Sequence, residues 1–178
     1  FYHRVELAEA MKNSKEDILK ISEEFYKITG RKYNLYEKYM LDDAELGIIV
    51  LNSTAGTVKE TIDILRKDGI KAGLLKPRIF RPLPFTEIPN ELKNLKALAI
   101  LDNADSINGY CGPLFGEITS AMYSSLLKVP TINYIYGLGG TDIDIKQIKS
   151  VYKDLENIAN SGKITNIKNY LGLEKEEF

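Results

Sequence analysis

The chain has 178 residues, 44% of them hydrophobic, and its 24 basic and 25 acidic side chains leave a formal net charge of -1. That length and apolar content support one good core with appendages and argue against two full domains; the balanced charge gives no footing for nucleic acid or an anionic membrane as partner. A single cysteine, Cys111, excludes an internal disulfide, a cysteine-rich zinc site and an iron–sulfur cluster held by this chain alone, and a reducing cytoplasm is the natural setting.

No apolar run reaches the roughly 18 residues of a membrane-crossing helix, and no signal-peptide pattern opens the chain. The first residues, Phe1-Tyr2-His3, lack an initiator methionine and read as the middle of a longer polypeptide. Asn52-Ser53-Thr54 matches the glycosylation sequon, but without a secretory route the match reads as accidental.

Residues 1–41 read as a helical arm or interdomain linker. Ile18, Ile21, Phe25 and Ile28 recur at helical spacing, Ser14 is a plausible N-cap, Gly30 is a stop, and Tyr33, Tyr36 and Tyr39 follow. Such an arm needs another surface to cover it, and its aromatic rings suit packing against a neighbouring domain. From residue 42 the chain alternates. Strands are predicted at 48–51, 70–75, 97–101 and 131–136, with helices at 56–68 and 88–95, a third opened by Pro113, and a fourth carrying Ile145, Ile148, Val151, Tyr152 and Leu155. This alternation with short loops predicts an α/β domain over 42–160: three layers, α/β/α, around a mostly parallel twisted sheet, with 161–178 as a C-terminal tail.

The run at 48–51 is continuously apolar, so its strand should be covered on both faces, and covered parallel sheets place their sites where strands end and helices begin. It delivers Asn52, Ser53, Thr54 and Gly56 to the start of a helix, whose backbone N–H groups favour an anion or a carbonyl oxygen. The loop is neither a phosphate-binding P-loop nor the three-glycine dinucleotide fingerprint. The second strand leads into a proline-stiffened segment, 76–84, that holds Arg78 and Arg81; guanidinium groups on such a loop suit a carboxylate or phosphate, or a structural ion pair. The third strand ends in Asp102 and Asn103. With no histidine in sequence reach, Asp102 reads as a loop-capping or ion-pairing carboxylate. The fourth strand ends in a loop with Gly139, Gly140 and Asp142, the glycines supplying tight-turn angles. These residues form the candidate ligand or intersubunit contact set; no catalytic residue and no metal site emerges from the pattern.

The order of these motifs is itself informative. Asn52-Ser53-Thr54-Ala55-Gly56-Thr57, the segment from Gly69 to Leu75, Arg78-Ile79-Phe80-Arg81-Pro82-Leu83-Pro84, Leu101-Asp102, Gly112-Pro113-Leu114-Phe115 and Tyr136-Gly137-Leu138-Gly139-Gly140 together resemble the C-terminal domain of the alpha chain of pyruvate:ferredoxin oxidoreductase, or pyruvate synthase. That domain is similar to the C-terminal domain of transketolase. The resemblance implies a subunit of an enzyme that decarboxylates pyruvate on thiamine diphosphate with magnesium, passes electrons through 4Fe–4S clusters to ferredoxin, and hands the acyl group to coenzyme A. It also implies that cofactor and clusters are held elsewhere, by other domains and subunits, so that this fragment serves structure and assembly without catalysing anything alone. The chain departs from the family's usual pattern at three positions: Asn52 stands for Gly, Asn103 for Arg and Thr141 for Arg. Two other readings stay open, a self-standing anion-binding module and the same domain from a transketolase-type transferase.

Overall fold

The computed structural model describes residues 1–173. The chain begins with one long helix, α1 (Tyr2–Thr29), closed by Gly30 in the left-handed conformation, φ 69. Six strands follow, β1 (Tyr36–Tyr39), β2 (Leu46–Val50), β3 (Ala72–Pro77), β4 (Ala97–Asp102), β5 (Thr131–Ile135) and β6 (Lys168–Tyr170). Between them lie α2 (Thr54–Lys67), α3 (Ile88–Leu92), α4 (Pro113–Ser124) and α5 (Ile145–Ser161). The strands make one sheet in the order β1-β3-β2-β4-β5-β6. All neighbours pair in parallel except β1, which runs antiparallel to β3. The expected three-layer, mostly parallel α/β architecture is the one observed.

Every residue of β2 and β4 is buried, because helices cover both faces of the sheet. Alternation along each strand splits the core in two. Ile48 and Val50 join α2 and α5 through Val58, Ile62, Val151 and Leu155 on one face. Ile49, Leu98 and Ile100 join α3 and α4 through Leu92, Leu114 and Ile118 on the other. Each such fully buried side chain contributes about 1.5–3 kcal/mol relative to exposure. The largest of them, Tyr152, is kept satisfied by donating its hydroxyl to the Gly73 carbonyl at 3.0 Å.

The sheet extends past 42–160 at both margins. β1 lies inside the stretch expected as arm, and β6 inside the stretch expected as tail. Both are short edge strands of mixed polarity, Tyr-Glu-Lys-Tyr and Lys-Asn-Tyr, so neither carries the apolar run that marks β2 and β4. The helix start is also corrected. Ser14 is no N-cap; it lies at mid-helix and returns its hydroxyl to the Met11 carbonyl at 2.7 Å, and the helical pattern runs a further three turns toward Tyr2.

Candidate functional site

Because β2, β3, β4 and β5 are parallel, their carboxyl ends share one edge of the sheet, and the loops after them form one rim. The chain leaves β2 through α2, on one face, to reach β3; the next new strand, β4, sits on the opposite side of β2 and continues into α4 on the other face. The gap between the ends of β2 and β4 is therefore the topological switch point, the place where open α/β sheets form a crevice.

Two adjoining cavities occupy it. One, about 250 Å³, is lined by Ser53, Thr54 and Thr57 from the first turn of α2, by Asn103 and Tyr136, and by Thr141, Asp142 and Ile143 from the loop before α5. The second, about 210 Å³, is lined by Leu51, Asn52, Phe80, Asp102, Asn103, Pro113 and Tyr136 among others. Asn103 and Tyr136 stand between the two. Burial pushes the Tyr136 phenol up, and the adjacent Thr54 hydroxyl pulls it part of the way back. Thr54 is 9% exposed.

The three positions expected to depart from the resembled pattern, Asn52, Asn103 and Thr141, all lie at this crevice. Asn52 has φ 60, the left-handed region where a glycine is the default and asparagine is the best-tolerated replacement, so that exchange preserves the turn. Asn103 packs its amide into the space left by a glycine: a Cβ on Gly137, itself at φ 69, would lie 2.8 Å from Asn103 Nδ2. Thr141 donates its hydroxyl to the Leu138 carbonyl at 3.1 Å. With asparagine and threonine at these positions, neither cavity has a lysine or arginine among the described residues that line it, and Asp102 and Asp142 add carboxylates. The crevice thus offers hydroxyls, two amides and two carboxylates, and the expectation of an anion at the start of α2 finds no cationic side chain among the described lining residues to support it.

Arg78 and Arg81 stay outside both cavities. Arg78 pairs with Glu37 of β1 at 2.5 Å and lies over the Tyr33 ring, 4.7 Å from its centroid. Arg81 pairs with Glu117 of α4 at 2.6 Å, donates to the Phe80 carbonyl at 2.9 Å and stacks 4.4 Å from the Phe80 ring centroid. Their bidentate potential is spent on carboxylates and rings of the same chain. Glu37 also binds Lys59, and that hydrogen bond, against the opposing effect of burial and with help from the Arg78 charge, holds its carboxyl below the usual range.

Asp102 points inward. Its carboxylate accepts the backbone N–H groups of Leu114 at 2.7 Å and Phe115 at 3.1 Å and the Asn133 amide at 2.9 Å, capping α4 from the neighbouring strand. Burial pushes its pKa up despite these three donors. A Cβ on Gly112 would come within 2.3 Å of Asp102 Cγ, so Gly112 supplies close approach at the helix start. Gly139 and Gly140, at φ 70 and 83, form the turn at Leu138–Gly140. Of the expected set, the structure gathers Asn52, Ser53, Thr54, Asp102, Asn103 and Asp142 at the crevice; Gly56, Arg78, Arg81, Gly139 and Gly140 line neither cavity. Tyr136 and Thr57 were missed. The first reads simply as the end of an apolar strand; the second lies one turn after Ser53 and Thr54, and that helical spacing could have exposed it.

Comparison with known proteins turns this geometry into a lineage. A sequence profile described as pyruvate:ferredoxin oxidoreductase core domain II matches residues 44–148. The chain belongs to the pyruvate:ferredoxin oxidoreductase family. It is 38% identical to pyruvate synthase subunit PorA of Methanosarcina barkeri over 94% of this chain and 42% of that one. It is 39% identical to ketoisovalerate oxidoreductase subunit VorA of Pyrococcus furiosus over 90% of this chain and 41% of that one. The chain thus spans about two fifths of the length of the curated relatives it matches. A solved structure of 2-oxoglutarate:ferredoxin oxidoreductase from Magnetococcus marinus, with 2-oxoglutarate, coenzyme A and succinyl-CoA bound, superposes with a TM-score of 0.51 at 19% identity, covering 69% of this chain and 20% of that one. At that identity the likeness speaks for the fold. Of the segments that carry the resemblance, those at 52–57, 78–84, 101–102, 112–115 and 136–140 lie at the carboxyl ends of the parallel strands, whereas Gly69–Leu75 enters β3 from its amino end.

Proposed function

We propose that this chain is the transketolase-C-like domain of the alpha subunit of an oxidoreductase acting on pyruvate or a related 2-oxoacid, in which the complete enzyme uses thiamine diphosphate with magnesium and 4Fe–4S clusters, transfers the acyl group to coenzyme A and reduces ferredoxin. The observation that carries this reading is the family match over 44–148 together with relatives named as pyruvate synthase and ketoisovalerate oxidoreductase subunits. Among the described residues no group of three or more histidine, cysteine or carboxylate side chains could hold a metal ion, and one cysteine cannot supply the four thiolates of a cluster. The donor set of the described residues does not fit a metal ion or an iron–sulfur cluster, and no reaction step is assigned to them.

The role of the domain is assembly. The crevice carries hydroxyls, the amides of Asn52 and Asn103 and the carboxylates of Asp102 and Asp142, with no lysine, arginine or histidine among the described residues that line it, which suits hydrogen-bonded contact with a neighbouring domain or subunit better than acid–base work. A self-standing anion-binding module loses support because both guanidinium groups of the rim are paired within the chain. No helix among the described residues is long and apolar enough to cross a membrane, and the working compartment under this reading is the cytoplasm.

The test is pyruvate-dependent reduction of ferredoxin with coenzyme A and thiamine diphosphate, run on the complete reconstituted enzyme and on this chain alone. Turnover is expected only from the complete enzyme. Turnover by the isolated chain, or a complete enzyme inert toward every 2-oxoacid tried, overturns the proposal.

A further inference from the structure

Helix α1 carries a repeat of which the sheet domain covers only the middle, around Ser14 and Ile18. Leu7, Met11, Ile18, Ile21, Phe25 and Ile28 fall at alternating intervals of three and four residues, with Ser14 completing the series. This is a period of 3.5, the signature of a helix that supercoils with another helix. The residues farthest from that seam are Glu9, Glu16 and Glu23, flanked by Asn13, Lys20 and Lys27 on one side and by Val5, Leu19 and Tyr26 on the other. At 28 residues it is about 42 Å long, and none of its residues is buried. Its own domain touches it through the Lys15–Glu87 ion pair and the Phe25–Tyr33 ring contact at 5.6 Å. Ile18 is half-buried, while Leu7, Ile21 and Ile28 are 56%, 64% and 84% exposed.

The positions flanking the seam select against self-pairing. On one side stand Asp17 and Glu24; on the other stand Lys15, already held by Glu87, and Ser22. In a parallel pair of copies the acidic flank would face Ser22 and Thr29, and in an antiparallel pair it would face itself. Neither arrangement offers a complementary charge.

We infer that the exposed seam of α1 docks against an amphipathic helix from the part of the enzyme outside this chain, with lysine or arginine on the flank that meets Asp17 and Glu24. This rests on the reading of the chain as one portion of a larger oxidoreductase subunit, since the relatives are more than twice its length. The partner is a helix because only a helix matches a 3.5-residue period along four turns or more.

The complete enzyme carrying a photo-crosslinking residue at Ile21, or at Glu23 as control, gives the test. Crosslinks from position 21 are expected in a single apolar-striped helix outside residues 1–178, with none from position 23. The double variant Ile21→Glu/Ile28→Glu should lower the affinity of assembly by about tenfold or more while leaving the helical content of this chain unchanged. Crosslinks into a second copy of α1, into a non-helical segment, or equally from both positions overturn the inference, as does unaltered assembly of the double variant. The oxidoreductase reading is decided separately, by turnover of the unsubstituted enzyme.

Discussion

Asn133 and Asp102 form a buried pair in which the Asn133 amide nitrogen donates to the carboxylate at 2.9 Å and to the Ile100 carbonyl at 2.8 Å, while its amide oxygen accepts the Gly112 N–H at 2.8 Å. Asp102 reaches the edge of the crevice with its carboxylate committed to these bonds, and Asn133 is fully buried. Together they tie β4, β5 and the start of α4, and so fix the loop that forms one wall of the rim.

Replacing Asn133 with leucine leaves the buried Gly112 N–H without its partner and removes one of the hydrogen bonds accepted by the Ile100 carbonyl and by the Asp102 carboxylate. The expected cost is about 3 kcal/mol, read as a Tm lower by roughly 6–12 °C for a domain of this size. Differential scanning calorimetry checks it; a loss within a degree would show that water or a neighbour replaces the amide.

Gly112 and Gly116 should respond oppositely to alanine. At Gly112 the new methyl meets Asp102 at 2.3 Å, which forces the cap apart at a cost of about 1–3 kcal/mol. At Gly116, inside α4, nothing lies within 4 Å of the added Cβ, and alanine should stabilise by about 0.8–1 kcal/mol through helix propensity. Urea midpoints of the two variants separate these effects, and equal shifts would contradict the geometry.

At Asn52 the left-handed backbone sets the ranking. Asn52→Gly should be nearly neutral, whereas Asn52→Val should cost about 1–2 kcal/mol because a branched Cβ crowds the carbonyl at φ 60. Thermal unfolding of the pair decides whether conformation, rather than a side-chain contact, governs the position.

The Glu37 carboxyl is held below its ordinary value of 4.5 by Lys59 foremost. A folded-state value below the unfolded one means that the native state binds the proton more weakly, so the stabilisation is complete above about pH 4.5 and fades as pH falls through the lowered value. The Tm difference between the wild type and Glu37→Gln should therefore be flat at neutral pH and shrink below pH 4.5. A difference that is constant across that window would remove Glu37 from the acid response.

What could be read in advance divides along physical lines. β2 and β4 were legible because both faces are covered and their runs are unbroken, and the rim followed from parallel strands ending in polar residues. Edge strands β1 and β6 were not, since their pairing energy comes from neighbours distant in sequence. The destination of a guanidinium is equally invisible: Arg78 and Glu37 are separated by 41 residues and Arg81 and Glu117 by 36, and only the closed sheet brings each pair together. Asp102 could be recognised as a cap by its residue type but not by its partner, because Asn133 reaches it from the adjacent strand.

The two outer strands also decide what the domain avoids. β1 and β6 span only four and three residues, and each is flanked by ionic contacts, Lys38 with Glu91 at 2.9 Å and Lys168 with Asp105 at 2.5 Å. Short charged margins give an incoming chain little template for backbone pairing. The domain is guarded against ribbon-like polymerisation at both borders, and an oligomer built from it is left to its helices and loops.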